Sequence, residues 1–454
     1  MKDKLLEEFI SSFNYDNRLA KYEIDTCIVW TQLLARKKIV DSKKAKKVIQ
    51  QLKKLKKNIK DKLVPAEDVH YAVEQTIEKM LGKDKELAGI IRTARSRNDL
   101  VVSDERLMIK DEIKEIIGYL KQVISSIIEI ANKNLDVAMV GYTHLQPAQP
   151  VLFSHYILSY AWWFVRDIGR FRNCYTSVDV SVLGSAAFAG SSFNIDRFYV
   201  AKKLGFTNLS MNSVDAVSDR DFIVEFISCC AITMMHLSRI AEDFILWCNP
   251  NFGYIKLPKK LTSGSSIMPQ KQNPDYLELI RGKTAKVYSA VVGILVLMKA
   301  LPLSYNRDMQ EDKVYLNLAV DTLKDSLQVV NKIFCNVEIN KERLEDDLRN
   351  YDFVLATEIA NFFVRYLGFN FKKAHKKVQL LLEYCWRSNK KISELLSEEY
   401  YKIAGIKISE KLFSELKNII NPQKIAANYK TYGGSSIKEV KRQIRELKLF
   451  LDKS

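Results

Sequence analysis

From about Val101 to Asn134 the apolar residues Ile113, Ile116, Ile117, Leu120, Ile124, Ile127 and Ile128 recur at three- and four-residue spacing, with no proline among them. An α-helix places such positions on one stripe, and a stripe this long exceeds an ordinary globular helix, which is bundle behaviour. Similar segments run from about Leu152 to Thr176, Asp219 to Cys248, Pro274 to Ala300 and Glu311 to Phe334, each bounded by loops rich in Gly, Pro, Ser or Asn. Only 16 glycines and 9 prolines occur in 454 residues, so little breaks these runs and an all-α chain is expected. Some of the helices are apolar all round, as in Phe222-Ile223-Val224-Glu225-Phe226-Ile227 and Ile232-Thr233-Met234-Met235. One bundle cannot cover that much apolar surface, so oligomerisation is implied. The flanks, 1–100 and 336–454, carry shorter and more polar helical patterns and read as small helical domains around a central 101–335. No internal repeat is evident.

A hydrophobic share of 47% and a charged share of 28% exclude disordered and fibrous classes. No stretch reaches the ~20 uninterrupted apolar residues of a membrane span, and Met1-Lys2-Asp3-Lys4-Leu5-Leu6-Glu7-Glu8 lacks the apolar core of a signal peptide. A cytoplasmic protein without a membrane partner is expected. The 7 cysteines form neither a CxxC pair nor a disulfide ladder and read as buried thiols, and no histidine stands at metal-ligand spacing, so no metal is expected. The formal charge of +17 and the lysine-dense run from Ser42 to Lys62 invite a nucleic-acid reading. Val48, Ile49, Leu52, Leu55 and Ile59 recur at helical spacing through that run, and no aromatic residues interleave the charges. The lysines therefore read as the wet face of an amphipathic helix, with no nucleic-acid partner. A polyanionic small substrate also fits the charge.

Three loops hold the residue types of chemistry. Gly264-Ser265-Ser266-Ile267-Met268-Pro269-Gln270-Lys271-Gln272-Asn273-Pro274-Asp275 joins a Gly/Ser stretch to a long helix, with Asn273 suited to the N-cap and Pro274 to the first helical position. Free N–H groups at such a helix tip favour an anion. Gly141-Tyr142-Thr143-His144-Leu145-Gln146-Pro147-Ala148-Gln149-Pro150 is a turn-rich break that exposes a histidine, whose ordinary pKa suits proton transfer. Arg92-Thr93-Ala94-Arg95-Ser96-Arg97-Asn98-Asp99 precedes the first long helix and offers guanidinium forks, although it also reads as a surface turn capped by Asn98 or Asp99.

The first of these strings resembles the signature of the fumarase/aspartase superfamily, and its Pro-Gln-Lys version resembles the argininosuccinate lyase family. The Gly-Tyr-Thr-His-Leu-Gln and Arg-Ser-Arg-Asn-Asp strings are similar to further elements of that family, as are Tyr305-Asn306-Arg307-Asp308-Met309-Gln310-Glu311-Asp312-Lys313, Glu67-Asp68-Val69-His70 and Asn212-Ser213-Val214-Asp215-Ala216-Val217-Ser218-Asp219-Arg220-Asp221. The likeness extends to Tyr432-Gly433-Gly434-Ser435 near the C-terminus. It implies a three-domain all-α subunit of fumarase/aspartase type, whose central five-helix bundle builds a homotetramer with active sites shared between subunits. It implies that Ser265 abstracts a proton, that Lys271 stabilises the intermediate, and that His144, with Glu278 and Thr143, assists proton transfer. It further implies that Arg95, Ser96, Arg97, Asn98, Thr143, Asn273, Tyr305, Gln310 and Lys313 contact argininosuccinate, with no cofactor.

The match is weakest at the amino end. The Trp-Gly-Gly-Arg-Phe opening is missing, Cys27 aligns with a substrate-contacting serine, and Trp30 falls where a histidine is frequent. Arg92 replaces a histidine, Leu100 a glutamine and Gln272 a second lysine. A lyase acting on adenylosuccinate, aspartate or malate, a crystallin-like structural relative and a nucleic-acid binder are the rival readings. The intact Ser265, Lys271 and His144 stand against the structural one.

Overall fold

The computed structural model describes residues 4–453. Helices hold 72% of the chain, and among the described residues the strands are short pairs, so the fold is all-α as expected. The helices that matter for the site are α1 (Ala20–Arg36), α2 (Ser42–Lys57), α3 (Val69–Leu81), α4 (Arg97–Lys133), α5 (Phe153–Val178), α6 (Asp221–Cys248), α7 (Asp275–Met298), α8 (Asp312–Asn336), α9 (Ala356–Leu367) and α10 (Phe371–Ser388). α4 to α8 are the five long helices, and each begins and ends within a few residues of the bounds read from periodicity.

Two compact units divide the chain. The first takes residues up to Tyr119, Arg166–Met235 and Gly282–Ser326. Its amino-terminal core gathers Ile24, Cys27 and Ile28 of α1, Val48, Leu52 and Leu55 of α2, and Val73 and Ile77 of α3. The lysine-rich run is a helix of the expected kind: Asp41 accepts N–H bonds from Lys43 and Lys44 at 3.0 and 2.9 Å, Ala45, Val48, Leu52 and Leu55 are buried, and the lysines stay outside. Trp30 and Leu100, two of the departures from the family pattern, pack into one apolar cluster with Leu33, Leu34, Leu183 and Val200, and Trp30 Nε1 donates to Thr93 O at 2.8 Å. They are core residues that hold the start of α4. Gly293 of α7 lies so near α8 that a Cβ would stand 2.2 Å from the Tyr315 ring.

The second unit takes Leu120–Val165, His236–Arg281 and the residues from Leu327 onward. Its carboxy-terminal core is built on Ile359, Phe362 and Phe363 of α9 and Ala374, Val378 and Leu381 of α10. Here the turn-rich break after α4 proves to be an antiparallel hairpin, β1 (Ala138–Thr143) with β2 (Gln146–Leu152). Its ladder slips by one residue at Gly141/Tyr142, and a Cβ on Gly141 would meet Gln149 O at 2.9 Å, so only glycine passes there. A hydrogen-bonded chain from Tyr142 through Tyr254 to Asp347, each step 2.8 Å, ties the hairpin down, and Ser435 Oγ accepts from Leu152 N at 2.9 Å.

Candidate active site

The residues expected to bind substrate, Thr143 and Asn273 apart, lie in the first unit. Ser96 caps α4: its Oγ accepts from Asn98 N at 3.3 Å while Asp99 Oδ1 accepts from Ser96 N at 3.1 Å, the reciprocal arrangement of a capping box. The cap is therefore Ser96, not Asn98 or Asp99. This frees Arg97 and Asn98 to line a cavity of about 170 Å³ together with Tyr305, Gln310 and Lys313. Asn98 Nδ2 donates to Ala187 O at 3.0 Å, and the other Asp99 oxygen accepts from Gly184 N and Ala186 N, both at 2.8 Å, so the cap also pins the loop that faces it.

The charges of this cavity come in pairs. Arg97 donates to Asp68 at 2.7 Å and Arg307 to Glu67 at 2.6 Å. Lys313, only 4% exposed, donates to Glu105 at 2.8 Å and to Asp312 at 2.7 Å, and Arg220 completes the group through Asp312 at 2.7 Å. Burial works against the Lys313 ammonium, and the two carboxylates more than offset it, so the charge is secure. Cations and anions alternating around one space suit a small molecule that carries both carboxylates and cationic groups.

Ser12, Asp16 and Arg307 also line this cavity and were not singled out in the sequence. Ser12 Oγ donates to Asp16 at 2.6 Å, and Asp16 accepts from Val69 N at 3.1 Å. Their four-residue spacing puts both on one helical face, a signal too common to stand out. Arg95 and Cys27 lie elsewhere than on this cavity. The Arg95 side chain is 3% exposed and donates to Cys27 Sγ at 3.0 Å, and Cys27 is wholly buried. Cys27 therefore presents no surface to a ligand, while Arg95 borders a neighbouring space of about 170 Å³ with Glu23, His70, Glu74 and Arg92. Glu23, His70 and Asp104 bring ligand-type atoms within 4.8 Å of one another, a grouping that sequence spacing did not reveal.

The residues expected to move protons lie in the second unit. Gly264-Asn273 is closed by a two-residue ladder, β3 (Ser263–Gly264) against β4 (Gln272–Asn273), in the register Ser263↔Asn273 and Gly264↔Gln272. Ser265 directly follows the first of these strands and Lys271 directly precedes the second, so the ladder closes the loop that holds both. Ser265 Oγ accepts N–H bonds from Ile267 at 3.3 Å and Met268 at 3.1 Å, donors that favour negative charge on that oxygen. α7 begins at Asp275 rather than Pro274, because the ladder claims Asn273; Leu277 N and Glu278 N both bond to Pro274 O, and the Ser263 hydroxyl bonds to Asp275. Glu278 is exposed in the first turn.

His144 and Leu145 form the tip of the β1–β2 hairpin with φ of 56° and 58°, both in the left-handed region, so this is a two-residue turn of the primed type. Neither is glycine or asparagine, and the turn carries backbone strain to display them. Thr143, His144 and Leu145 are exposed, and among the described residues no hydrogen bond joins His144 to Glu278.

A lyase family model matches residues 1–289, across all three loops. A model of the argininosuccinate lyase C-terminal region matches residues 353–427. The class is that of lyases, enzymes with small-molecule substrates. Argininosuccinate lyase of Caldicellulosiruptor bescii is 42% identical over 454 residues, covering 99% of this chain and 96% of that protein, and argininosuccinate lyase of Aquifex aeolicus is 39% identical over 450 residues, covering 98% and 96%. Among solved structures, EDDS lyase in complex with formate superposes with a TM-score of 0.84 at 22% identity, over 96% of this chain and 87% of that one. A class II fumarase from Schistosoma mansoni does so at 0.74 and 15%, over 91% of each, and these two likenesses establish the fold. The chain belongs to the argininosuccinate lyase family.

Proposed function

We propose that this chain is a carbon–nitrogen lyase of arginine biosynthesis, acting in the cytoplasm, which splits argininosuccinate into arginine and fumarate by β-elimination. The observation that supports the chemistry is that two backbone N–H groups point at Ser265 Oγ in a loop, closed by a two-residue ladder, that also holds Lys271. In the reading it supports, Ser265 takes the proton from the succinyl carbon beside the bond to be broken. The charge left on that carbon spreads into its carboxylate, where the Lys271 ammonium and the N–H groups at the tip of α7 meet it. The C–N bond then breaks, fumarate forms, and His144, supported by Glu278 and Thr143, gives a proton to the departing guanidino nitrogen. The paired charges around Arg97, Asn98, Tyr305, Gln310 and Lys313 suit the carboxylates, ammonium and guanidinium of this substrate, and Asn273 and Ser96 complete its contacts.

Each subunit has three domains in this reading, with 101–335 as the centre of a homotetramer whose active sites draw loops from several subunits. The exposed hairpin tip and the apolar outer face of α7, where Val292 and Val296 are 61% and 57% exposed, support it. The test is ultraviolet detection of fumarate with argininosuccinate, adenylosuccinate, aspartate and malate offered separately. Argininosuccinate alone should yield product, and Ser265→Ala should lower kcat by about 10³-fold or more with assembly intact. Near-normal turnover by that variant removes Ser265 from the reaction.

A further inference from the structure

His70 stands in the wall of both first-unit cavities and is 8% exposed. Its Nδ1 lies 2.8 Å from Glu23 Oε2 of α1 and 3.9 Å from Asp104 Oδ2 of α4. Asp16 and Asp68, the latter capping α3, also face it, and Arg95 reaches to 3.6 Å from Glu23 Oε1. Its Nε2 makes no hydrogen bond among the described residues. Two carboxyls as buried and as close as Glu23 and Asp104 cannot both ionise cheaply, so one of them keeps a proton.

The contacts decide which. Glu23 has the imidazole, the Arg95 guanidinium and the Cys27 thiol, 3.0 Å away, all stabilising its charge. Asp104 has the Thr26 hydroxyl on one oxygen at 2.8 Å, while the other is buried with His70 Nδ1 at 3.9 Å and accepts no hydrogen bond among the described residues. A proton on that orphaned oxygen makes it a donor. In keeping with this, burial would raise Glu23, but His70 and Arg95 bring it down to about 2, whereas burial and Glu23 push Asp104 well above the usual carboxylate range. Burial also opposes charge on His70, and Glu23 more than offsets it.

We infer that Glu23 is a positioning residue for the lyase: it fixes the orientation of the His70 ring and keeps it an imidazolium, so that Nε2–H is offered to a carboxylate of the substrate, while Asp104 holds the proton that lets Glu23 remain ionised. The inference rests on the argininosuccinate reading above and adds a charged donor to the substrate's binding site.

The test is the pH dependence of kcat/KM on the assembled enzyme for wild type, Glu23→Gln, Glu23→Asp and Asp104→Asn. Glu23→Gln should move the alkaline limb to lower pH by about one unit and cut kcat/KM at pH 8 about 10-fold, mainly through KM. Glu23→Asp should recover part of this. Asp104→Asn, which exchanges a protonated carboxyl for an amide, should leave the limb in place. A wild-type limb in Glu23→Gln, or an equal shift in Asp104→Asn, overturns the assignment while fumarate release by the wild type still upholds the reaction; no release by the wild type overturns the reading beneath it. If Glu23→Gln does not assemble, ¹³C-histidine titration of the wild type, with His70→Asn to identify the signal, decides instead. A midpoint at or below the ordinary ~6.5 sinks the proposal.

Discussion

Asp99 shows how one residue couples a local cap to the tertiary fold. Three backbone N–H donors favour its charge, yet burial dominates and pushes its carboxyl up to about 6. The unfolded value is about 4, so the folded state holds more protons between these limits. The stability that follows is full below pH ~4 and is lost as pH rises through ~6, by up to roughly 3 kcal/mol. Denaturant unfolding of wild type and Asp99→Asn at pH 4.5 and 7 should therefore show the wild type losing more stability between the two pH values, and parallel curves would contradict it. The cap itself was readable as a capped turn in Arg95-Ser96-Arg97-Asn98-Asp99, but which side chain capped was not, because Ser, Asn and Asp are near-equal at that position. The environment of Cys27 was equally hidden: alignment set it beside the substrate, and the packing of α1 against α2 and α3 buried it.

At the level of elements, the five long helices were legible because their apolar stripes repeat over many turns and average out local noise. The hairpin Ala138–Leu152 was not: two prolines in β2 and a bulge at Gly141 blur the two-residue alternation of a strand. Its turn yields a direct prediction. A primed turn prefers glycine at its second central position, so Leu145→Gly should relieve strain and stabilise the protein by about 1 kcal/mol in denaturant unfolding, while leaving His144 in place. A loss of stability would mean that Leu145, exposed in the single chain, is buried in the assembly. The ladder that closes the loop holding Ser265 and Lys271 is only two residues long, below what alternation can reveal, and so the sequence showed only a Gly/Ser stretch leading into a long helix.

For the whole molecule, α6 is apolar enough by length and composition to span a membrane, and 56% of its most apolar window is buried within the chain. Within the proposed tetramer the remaining apolar surface of α6 and the outer face of α7 lie against other subunits. Sharing of active sites then has a measurable consequence: mixed tetramers of Ser265→Ala and His144→Asn subunits should regain part of the activity that neither homotetramer has. No rescue at any mixing ratio would argue that each subunit works alone.

Sequence alone determined the helical class, the five long elements and the three loops with reactive residue types, because each depends on periodicity or on short-range composition. It also carried the family likeness that full-length relatives bear out. Only the tertiary structure decided which of those residues meet. Ser12 and Asp16 join Arg97 and Lys313 around one cavity, Glu23 and Asp104 close on His70, and Cys27 is shut away, because burial and pairing of charge arise between segments far apart in the chain.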